Sequence, residues 1–181
     1  MELEEKHIGT HNLFLYPIGI LFGAGFILSE IIEIKNPNLA KPIISSPTFS
    51  FFFIGIIYFG FCVYYLHSYL RKISNEKYPI SPAKAALFHL IPIYGIYWPI
   101  KWTKEIFIAL NAKDEKRKIL NKYGALIAVS ELLFRFDAGI ALILMFISIT
   151  RISRIIVNEY ESGNLKLFNQ EQQDIGRKLI L

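Results

Sequence analysis

The stretch of residues 49–70 constrains this chain more than any other feature of its sequence. It runs for 22 residues without an Asp, Glu, Lys or Arg, and Arg71 and Lys72 follow it directly. At ~1.5 Å per residue, a helix of this length is roughly 33 Å long, enough to cross a hydrocarbon core of ~30 Å. In lipid, a single segment satisfies its own backbone hydrogen bonds only as a helix. The stretch therefore predicts a transmembrane helix.

Three further segments have features of membrane helices. Residues 13–34 carry no charged side chain before Glu30 and Glu33, which lie one helical turn apart near an interface. Residues 125–150 are long and apolar but contain charged side chains. Residues 84–110 contain two prolines, and we expect a short, Pro-broken third span there because the segment is long enough to cross. A re-entrant segment is the alternative, since broken backbone is tolerated where it packs against protein.

The predicted fold class is all-α, an integral membrane helical bundle of about four spans. The composition agrees, because 53% of the residues are hydrophobic, the mean hydropathy is +0.37, and only 19% are charged. Soluble domains average about 25% charged residues. The membrane domain covers residues 1–157, and residues 158–181 form a short polar tail. The spans lie at about 13–34, 49–70, 84–110 and 125–150.

The net charge of +5 does not point to nucleic acid. The Lys and Arg residues flank the apolar segments, where they meet lipid headgroups. The predicted partner is therefore the lipid bilayer, and no nucleic acid is expected. Orientation depends on the third segment: of the 19 Lys and Arg residues other than Arg135, four crossings place 10 on one side and 9 on the other, and a re-entrant segment gives 12 and 7. The positive-inside rule predicts an orientation only in the second case, where the two sides differ clearly in basic residues.

A cluster of charged residues is predicted in or near the membrane, at one interface of the four-span arrangement. Charges at such a depth are costly, so they pair with each other or line a wet cavity for an ion, a proton or a headgroup. Within the cluster, the i,i+4 spacing of Glu131 and Arg135 predicts a pair on one helix face. We favour structural ion pairs over a functional cavity. The cluster consists of Glu30, Glu33, Lys101, Lys104, Glu131, Arg135 and Asp137.

The sequence offers few candidate ligands for a cofactor. His67 and His89 are predicted at a similar depth, where two imidazoles on facing helices could ligate haem or a metal. No spacing typical of a metal site accompanies them, so we predict no cofactor, no metal site and no catalytic residue. Cys62 is the single cysteine, which excludes an intramolecular disulfide. Gly19 and Gly23 form a GxxxG element, which favours close helix packing within the chain or between copies.

The third segment carries a recognisable pattern. A Ser-Pro-x-Lys-Ala start is followed by Ile-Pro, then Tyr-Trp, then Leu-Asn. Over roughly residues 78–111 this resembles small bacterial multi-span membrane proteins classified only as a domain of unknown function. The resemblance implies a bacterial inner or internal membrane, and it implies no activity or ligand. Those proteins usually have Asn in place of Gly95 and lack Pro99. The matching residues are Pro82, Lys84, Ala85, Ile91, Pro92, Tyr97, Trp98 and Asn111.

Three functional hypotheses follow from these features. The first is a non-enzymatic accessory or assembly subunit or interaction module, within a larger membrane complex or a homo-oligomer, because no catalytic constellation accompanies the short loops. The second is a small transport or permeation component that uses the intramembrane charges. The third is a haem- or metal-binding or lipid-acting membrane enzyme that uses His67 and His89.

Overall fold

A computed structural model describes residues 16–36, 46–74, 78–110 and 114–162, and every regular element in these ranges is helical. The α-helices are α1 (Gly19–Lys35), α2 (Pro47–Ile73), α3 (Pro82–Leu87), α4 (Pro92–Leu110), α5 (Asp114–Leu133) and α6 (Ala138–Glu161). A short 3-10 helix, Phe88–Leu90, lies between α3 and α4.

Three of the described helical segments are long and apolar enough to cross a membrane, as expected of a multi-pass membrane protein. They are Tyr16–Lys35, Pro47–Ile73 and Ala138–Glu161. Many of their large apolar side chains face outward. Leu21 is 67% exposed on α1 and Phe53 is 54% exposed on α2. Exposed apolar surface of this extent suits a lipid environment.

Side-chain caps set where several helices begin. The Ser46 hydroxyl accepts a hydrogen bond from the Phe49 backbone N–H at 3.4 Å, and Ser81 accepts from the Lys84 N–H at 3.3 Å. A proline follows each serine, at the first helical position where its missing N–H costs nothing. The Asp137 carboxylate accepts from the Ile140 N–H at 2.9 Å and so starts α6.

The helix bundle has two ends, called the Glu33 end and the Tyr160 end after one residue at each. At the Glu33 end, the Ser46 hydroxyl donates to the Glu33 carboxylate at 2.7 Å, which joins the end of α1 to the start of α2. At the Tyr160 end, the rings of Tyr69 and Tyr160 lie 6.0 Å apart, which joins the last turns of α2 and α6. Helices α2 and α6 therefore run in the same direction, toward the Tyr160 end.

Helices α3 and α4 form a hairpin whose two outer ends lie toward the Tyr160 end. The Trp98 indole N–H donates to the Ala85 carbonyl at 3.0 Å, so the two arms run side by side. The turn lies at Ile91, between the 3-10 helix and α4. This differs from the crossing expected for residues 84–110, because the chain enters the bundle and returns to the same end.

The segment 125–150 also differs from the predicted continuous helix. Helix α5 ends at Leu133, and α6 begins only at Ala138, after a turn. The restart has a physical cause, because the Asp137 side chain caps the new helix. As a result Glu131 and Arg135 do not share a helix, and the predicted i,i+4 pair does not form.

The GxxxG element of α1 packs within the chain. A Cβ built on Gly23 would lie 2.7 Å from the Gly139 carbonyl oxygen, and one on Gly139 would lie 2.4 Å from Ile27. A Cβ on Gly19 would lie 2.1 Å from two carbon atoms of the Phe146 ring. The small residues therefore let α1 and α6 approach closely, which is the intrachain use of this motif.

Candidate functional site

A cavity of about 330 Å³ lies between α2, the tip of the α3–α4 hairpin, and the turn between α5 and α6. Small-molecule sites begin at about 300 Å³, so the cavity has the size of a ligand site. Its walls are apolar apart from a few side chains. Leu90 and Leu132 are 62% and 45% exposed, which places them at an open side of the cavity. Of the described residues that line it, the ionisable ones are His89, Glu131 and Arg135.

His89 and Glu131 form a hydrogen-bonded pair in the cavity wall. The Nδ1 atom of His89 lies 2.6 Å from Oε1 of Glu131, and the two side chains are 4% and 9% exposed. The Trp102 indole N–H donates to the His89 Nε2 atom at 3.3 Å. An indole N–H can only donate, so Nε2 accepts and the imidazole proton lies on Nδ1. His89 is thus neutral and donates to the Glu131 carboxylate.

The hairpin leaves space for this carboxylate at Gly95. A Cβ on Gly95 would lie 1.9 Å from Oε2 of Glu131, closer than any real contact. Any side chain at this position would displace the carboxylate. The position of Glu131 against the hairpin therefore depends on glycine at residue 95.

Arg135 stands at the mouth of the cavity rather than inside it. It lies in the turn that follows α5, and its side chain is exposed. The wall next to it is aromatic, because the rings of Phe52 and Phe134 meet edge-on at 5.8 Å. Deeper in the cavity, the Phe59 ring meets His89 edge-on at 5.3 Å.

The remaining members of the predicted charged cluster are distributed over both ends of the bundle. Glu30 is exposed on α1, Glu33 accepts from Ser46, and Asp137 caps α6. Lys101 and Lys104 lie instead on the arm of the hairpin that returns to the Tyr160 end. The prediction placed all of them at one interface because it assumed that the third segment crosses.

Lys101 has an aromatic partner. Its ammonium lies 5.8 Å from the centre of the Trp98 ring, within the range of a cation–π contact. The contact holds this cation on α4, away from the carboxylates of the Glu33 end.

The two histidines of the predicted ligand pair contact the same tryptophan. The ring of Trp102 meets His67 at 5.2 Å and His89 at 6.4 Å, edge-on in both cases. His67 is fully buried, and neither of its ring nitrogens has a hydrogen-bond partner in the described part of the chain. Within that part, no group of three or more His, Cys, Asp or Glu side chains is placed to hold a metal ion.

The residues of the family-like pattern build the hairpin. Pro82 opens α3, the Lys84 ammonium lies 5.3 Å above the Phe88 ring, and Ala85 is fully buried beneath Trp98. Ile91 forms the turn and Pro92 opens α4. Tyr97 is 55% exposed on the outer face of α4. Asn111 lies outside the described residues.

Tyr78, which no sequence pattern singled out, fills the base of the hairpin. Its ring lies 5.4 Å from that of His67, and its backbone N–H donates to the Ser74 hydroxyl at 3.0 Å. Burial, and secondarily the Glu105 carboxylate, raises the pKa of the Tyr78 phenol well above its usual value. Tyr78 therefore stays neutral and acts as a packing residue beside His67.

No family model, curated protein or solved structure matches this chain. The resemblance of residues 78–111 to bacterial proteins of unknown function stays a prediction.

Proposed function

We propose that this chain is a non-enzymatic, multi-pass membrane protein that binds a lipophilic cation in its cavity, as a small transport or permeation component. The observation that carries the proposal is the Glu131 carboxylate, nearly buried in an apolar wall beside a neutral His89. This is the second of the sequence hypotheses, in a narrower form.

The charge balance of the cavity favours a cation. The hydrogen bond from His89 orients the Glu131 carboxylate but does not neutralise it. A carboxylate in apolar surroundings is costly unless a positive group compensates it. Arg135 lies at the exposed mouth, where water screens its charge, so the Glu131 carboxylate is the charged group within the apolar walls. A ligand cation inside the cavity would offset it.

The walls favour a cation with a large apolar body. Phe52, Phe59 and Phe134 present aromatic rings to the cavity. The face of an aromatic ring attracts a cation, and the attraction grows when the site is desolvated, to about 2 kcal/mol. The same rings bury the apolar groups of the ligand, at about 25 cal/mol per Å². A small hydrated ion such as Na⁺ would gain little from such walls.

The proposal includes an arrangement in the membrane. The three long apolar helices α1, α2 and α6 form three crossings, and α5, whose first turns are charged, forms the fourth because Phe134 just beyond its end reaches Phe52 near the Glu33 end. The α3–α4 hairpin is a re-entrant element broken before Pro92. Broken backbone at membrane depth is tolerated where it packs against protein or lines a cavity, and the tip of this hairpin does both. The open side at Leu90 and Leu132 would face lipid, so that the ligand enters laterally from a bacterial inner or internal membrane.

The accessory-subunit hypothesis, with a larger complex or a homo-oligomer as its setting, ranks second. The support for it is the short loops without a catalytic constellation, and it gives no role to the Glu131 carboxylate. A cofactor at the histidines ranks third, because Trp102 contacts both rings and occupies the Nε2 atom of His89.

The test is binding of tetraphenylphosphonium to the purified protein, measured by equilibrium dialysis in a mild detergent. Glu131→Gln keeps the size of the side chain and its ability to accept from His89 but removes the charge. We expect it to raise the dissociation constant at least tenfold, which corresponds to about 1.4 kcal/mol. Glu30→Gln, which removes an exposed carboxylate from α1, is the matched control and should bind as the unaltered protein does.

Two results would count against the proposal. One is binding by Glu131→Gln that equals that of the unaltered protein, since the carboxylate would then have no part in recognition. The other is an equal loss in both variants, which would show that binding follows overall charge rather than this cavity.

A further inference from the structure

We infer that the Tyr160 end of the bundle faces the cytoplasm and binds the anionic headgroups of the cytoplasmic leaflet. The observation is the distribution of basic side chains between the two ends. Eleven of the thirteen described Lys and Arg residues fall in residues 71–84, 101–122 and 151–154, and the other two are Lys35 and Arg135.

Contacts between helices place these three segments at one end. Lys116 pairs with Glu159 near the end of α6, and the Arg117 guanidinium lies 5.1 Å from the Phe107 ring near the end of α4. Residues 71–84 join the end of α2 to the hairpin, where the ring of Tyr78 packs against His67. Residues 151–154 lie in the half of α6 that ends at the Tyr160 end.

The fold collects more basic residues at one end of the bundle than at the other, and the order of residues along the chain does not show this difference. A crossing at residues 84–110 would send the basic residues 101–122 to the opposite side, and the two sides would balance. The hairpin returns these residues to the end from which the chain entered. Helix α5 then carries the chain to the Glu33 end, and α6 brings it back. All three basic segments therefore collect at the Tyr160 end.

Basic residues close to the ends of membrane helices are retained on the cytoplasmic side, and acidic residues contribute little to this preference. The cytoplasmic leaflet is also the one rich in anionic lipids, which attract juxtamembrane Lys and Arg. Several of the basic side chains, including Lys118, Lys122 and Arg154, are exposed and so are able to reach headgroups. Among the described residues, the Glu33 end carries the carboxylates Glu30, Glu33 and Asp137 beside the two basic residues Lys35 and Arg135.

The orientation has a consequence that rests on the proposed function. The cavity is lined by α2 from Phe52 to Gly60, the half of this helix nearer the Glu33 end, and by the turn between α5 and α6. With the Tyr160 end in the cytoplasm, the open side of the cavity lies in the outer half of the bilayer. The lipophilic cation would then enter from the outer leaflet.

Orientation is tested with single cysteines in a Cys62→Ala background, expressed in bacterial spheroplasts with an intact inner membrane. Lys118→Cys reports on the Tyr160 end, and Phe136→Cys, at a position that is 85% exposed, reports on the Glu33 end. A membrane-impermeant maleimide should label Phe136→Cys in intact spheroplasts and Lys118→Cys only after permeabilisation. The reverse pattern, or labelling of both in intact spheroplasts, would overturn the inference. Lys35→Cys, a second reporter at the Glu33 end, should behave as Phe136→Cys does.

Headgroup binding is tested by native mass spectrometry after purification in mixed phosphatidylglycerol and phosphatidylcholine. The unaltered protein should retain phosphatidylglycerol in excess, and the triple variant Lys118→Gln, Lys122→Gln, Arg154→Gln should lose at least half of that excess. Lys35→Gln, at the other end, should keep it. Equal retention of the two lipids by the unaltered protein would overturn the headgroup contact. Neither test depends on cation binding in detergent, so a failure here is distinguishable from a failure of the proposed function.

Discussion

Replacing Gly95 with alanine is expected to lower the free energy of unfolding by about 1.5–3 kcal/mol, because the clash is relieved by moving the Glu131 carboxylate and a hydrogen bond to a charged group is worth about that much. The new methyl group would occupy the position of the Glu131 carboxylate, 1.9 Å from Oε2. The carboxylate must then move away from His89, and both groups lose a partner in an apolar wall. Thermal unfolding in detergent measures the change, and binding of tetraphenylphosphonium should fall with it.

Gly60 provides the matched control for this substitution. It lies within α2, and a Cβ built on it has no atom within 4 Å. Alanine there replaces glycine in a helix without a clash, so stability should stay equal or rise by up to about 1 kcal/mol. If Gly95→Ala were as stable as Gly60→Ala, the carboxylate of Glu131 would not lie against the hairpin.

Replacing Gly139 with leucine should separate α1 from α6 and lower the free energy of unfolding by at least about 3 kcal/mol, since a clash against backbone cannot be relieved by rotamers alone. A Cβ here would lie 2.4 Å from Ile27 and 3.0 Å from the carbonyl oxygen of Gly23. Thermal unfolding measures the loss, and Gly60→Leu serves as the control of equal bulk.

The same variant separates the two uses of the GxxxG element. If the groove at Gly23 holds α6 of the same chain, Gly139→Leu destabilises the fold at every protein concentration. A variant that kept its melting temperature but changed its size on gel filtration would show instead that the groove binds a second copy.

Part of the fold could be predicted because it depends on local composition. Residues 49–70 are apolar without interruption, and a helix spanning Pro47–Ile73 follows directly. The start of α6 also had a local signal, since Asp137 precedes an apolar run and Asp is a common N-cap. The prediction treated Asp137 as a member of a charged cluster, and this is why the turn before α6 was missed.

The direction of residues 84–110 had no such signal. Hydropathy reports how apolar a segment is, and a crossing helix and a re-entrant hairpin can have the same value. What turns the chain back is a set of tertiary contacts, chiefly the hydrogen bond from Trp98 to the Ala85 carbonyl and the burial of Ala85. The counts of Lys and Arg favour one orientation only for the re-entrant alternative, so the sequence leaves the orientation open as long as the direction of this segment is open.

The sequence predicts single residues of the candidate site but not their contact. Glu131 was placed in a charged cluster and His89 in a ligand pair, but their contact joins residues 42 positions apart, on different elements. No spacing rule relates such residues. Trp102, which fixes the tautomer of His89, lies 13 residues from it on another helix, and no sequence pattern relates the two. The close approach of the Glu131 carboxylate to Gly95 likewise joins two helices, so it has no local signal.

The most direct test of the proposed function compares two probes of the same shape and opposite charge. Tetraphenylphosphonium and tetraphenylborate carry four phenyl rings on a central atom, so their apolar contacts with the walls are alike, and the fixed charges and the ring faces, which attract a cation, tell them apart. We expect the purified protein to bind the phosphonium at least tenfold more tightly, and Glu131→Gln to remove most of the difference. Equal binding of the two probes, or tighter binding of the borate through Arg135, would contradict the assignment of the cavity to a lipophilic cation.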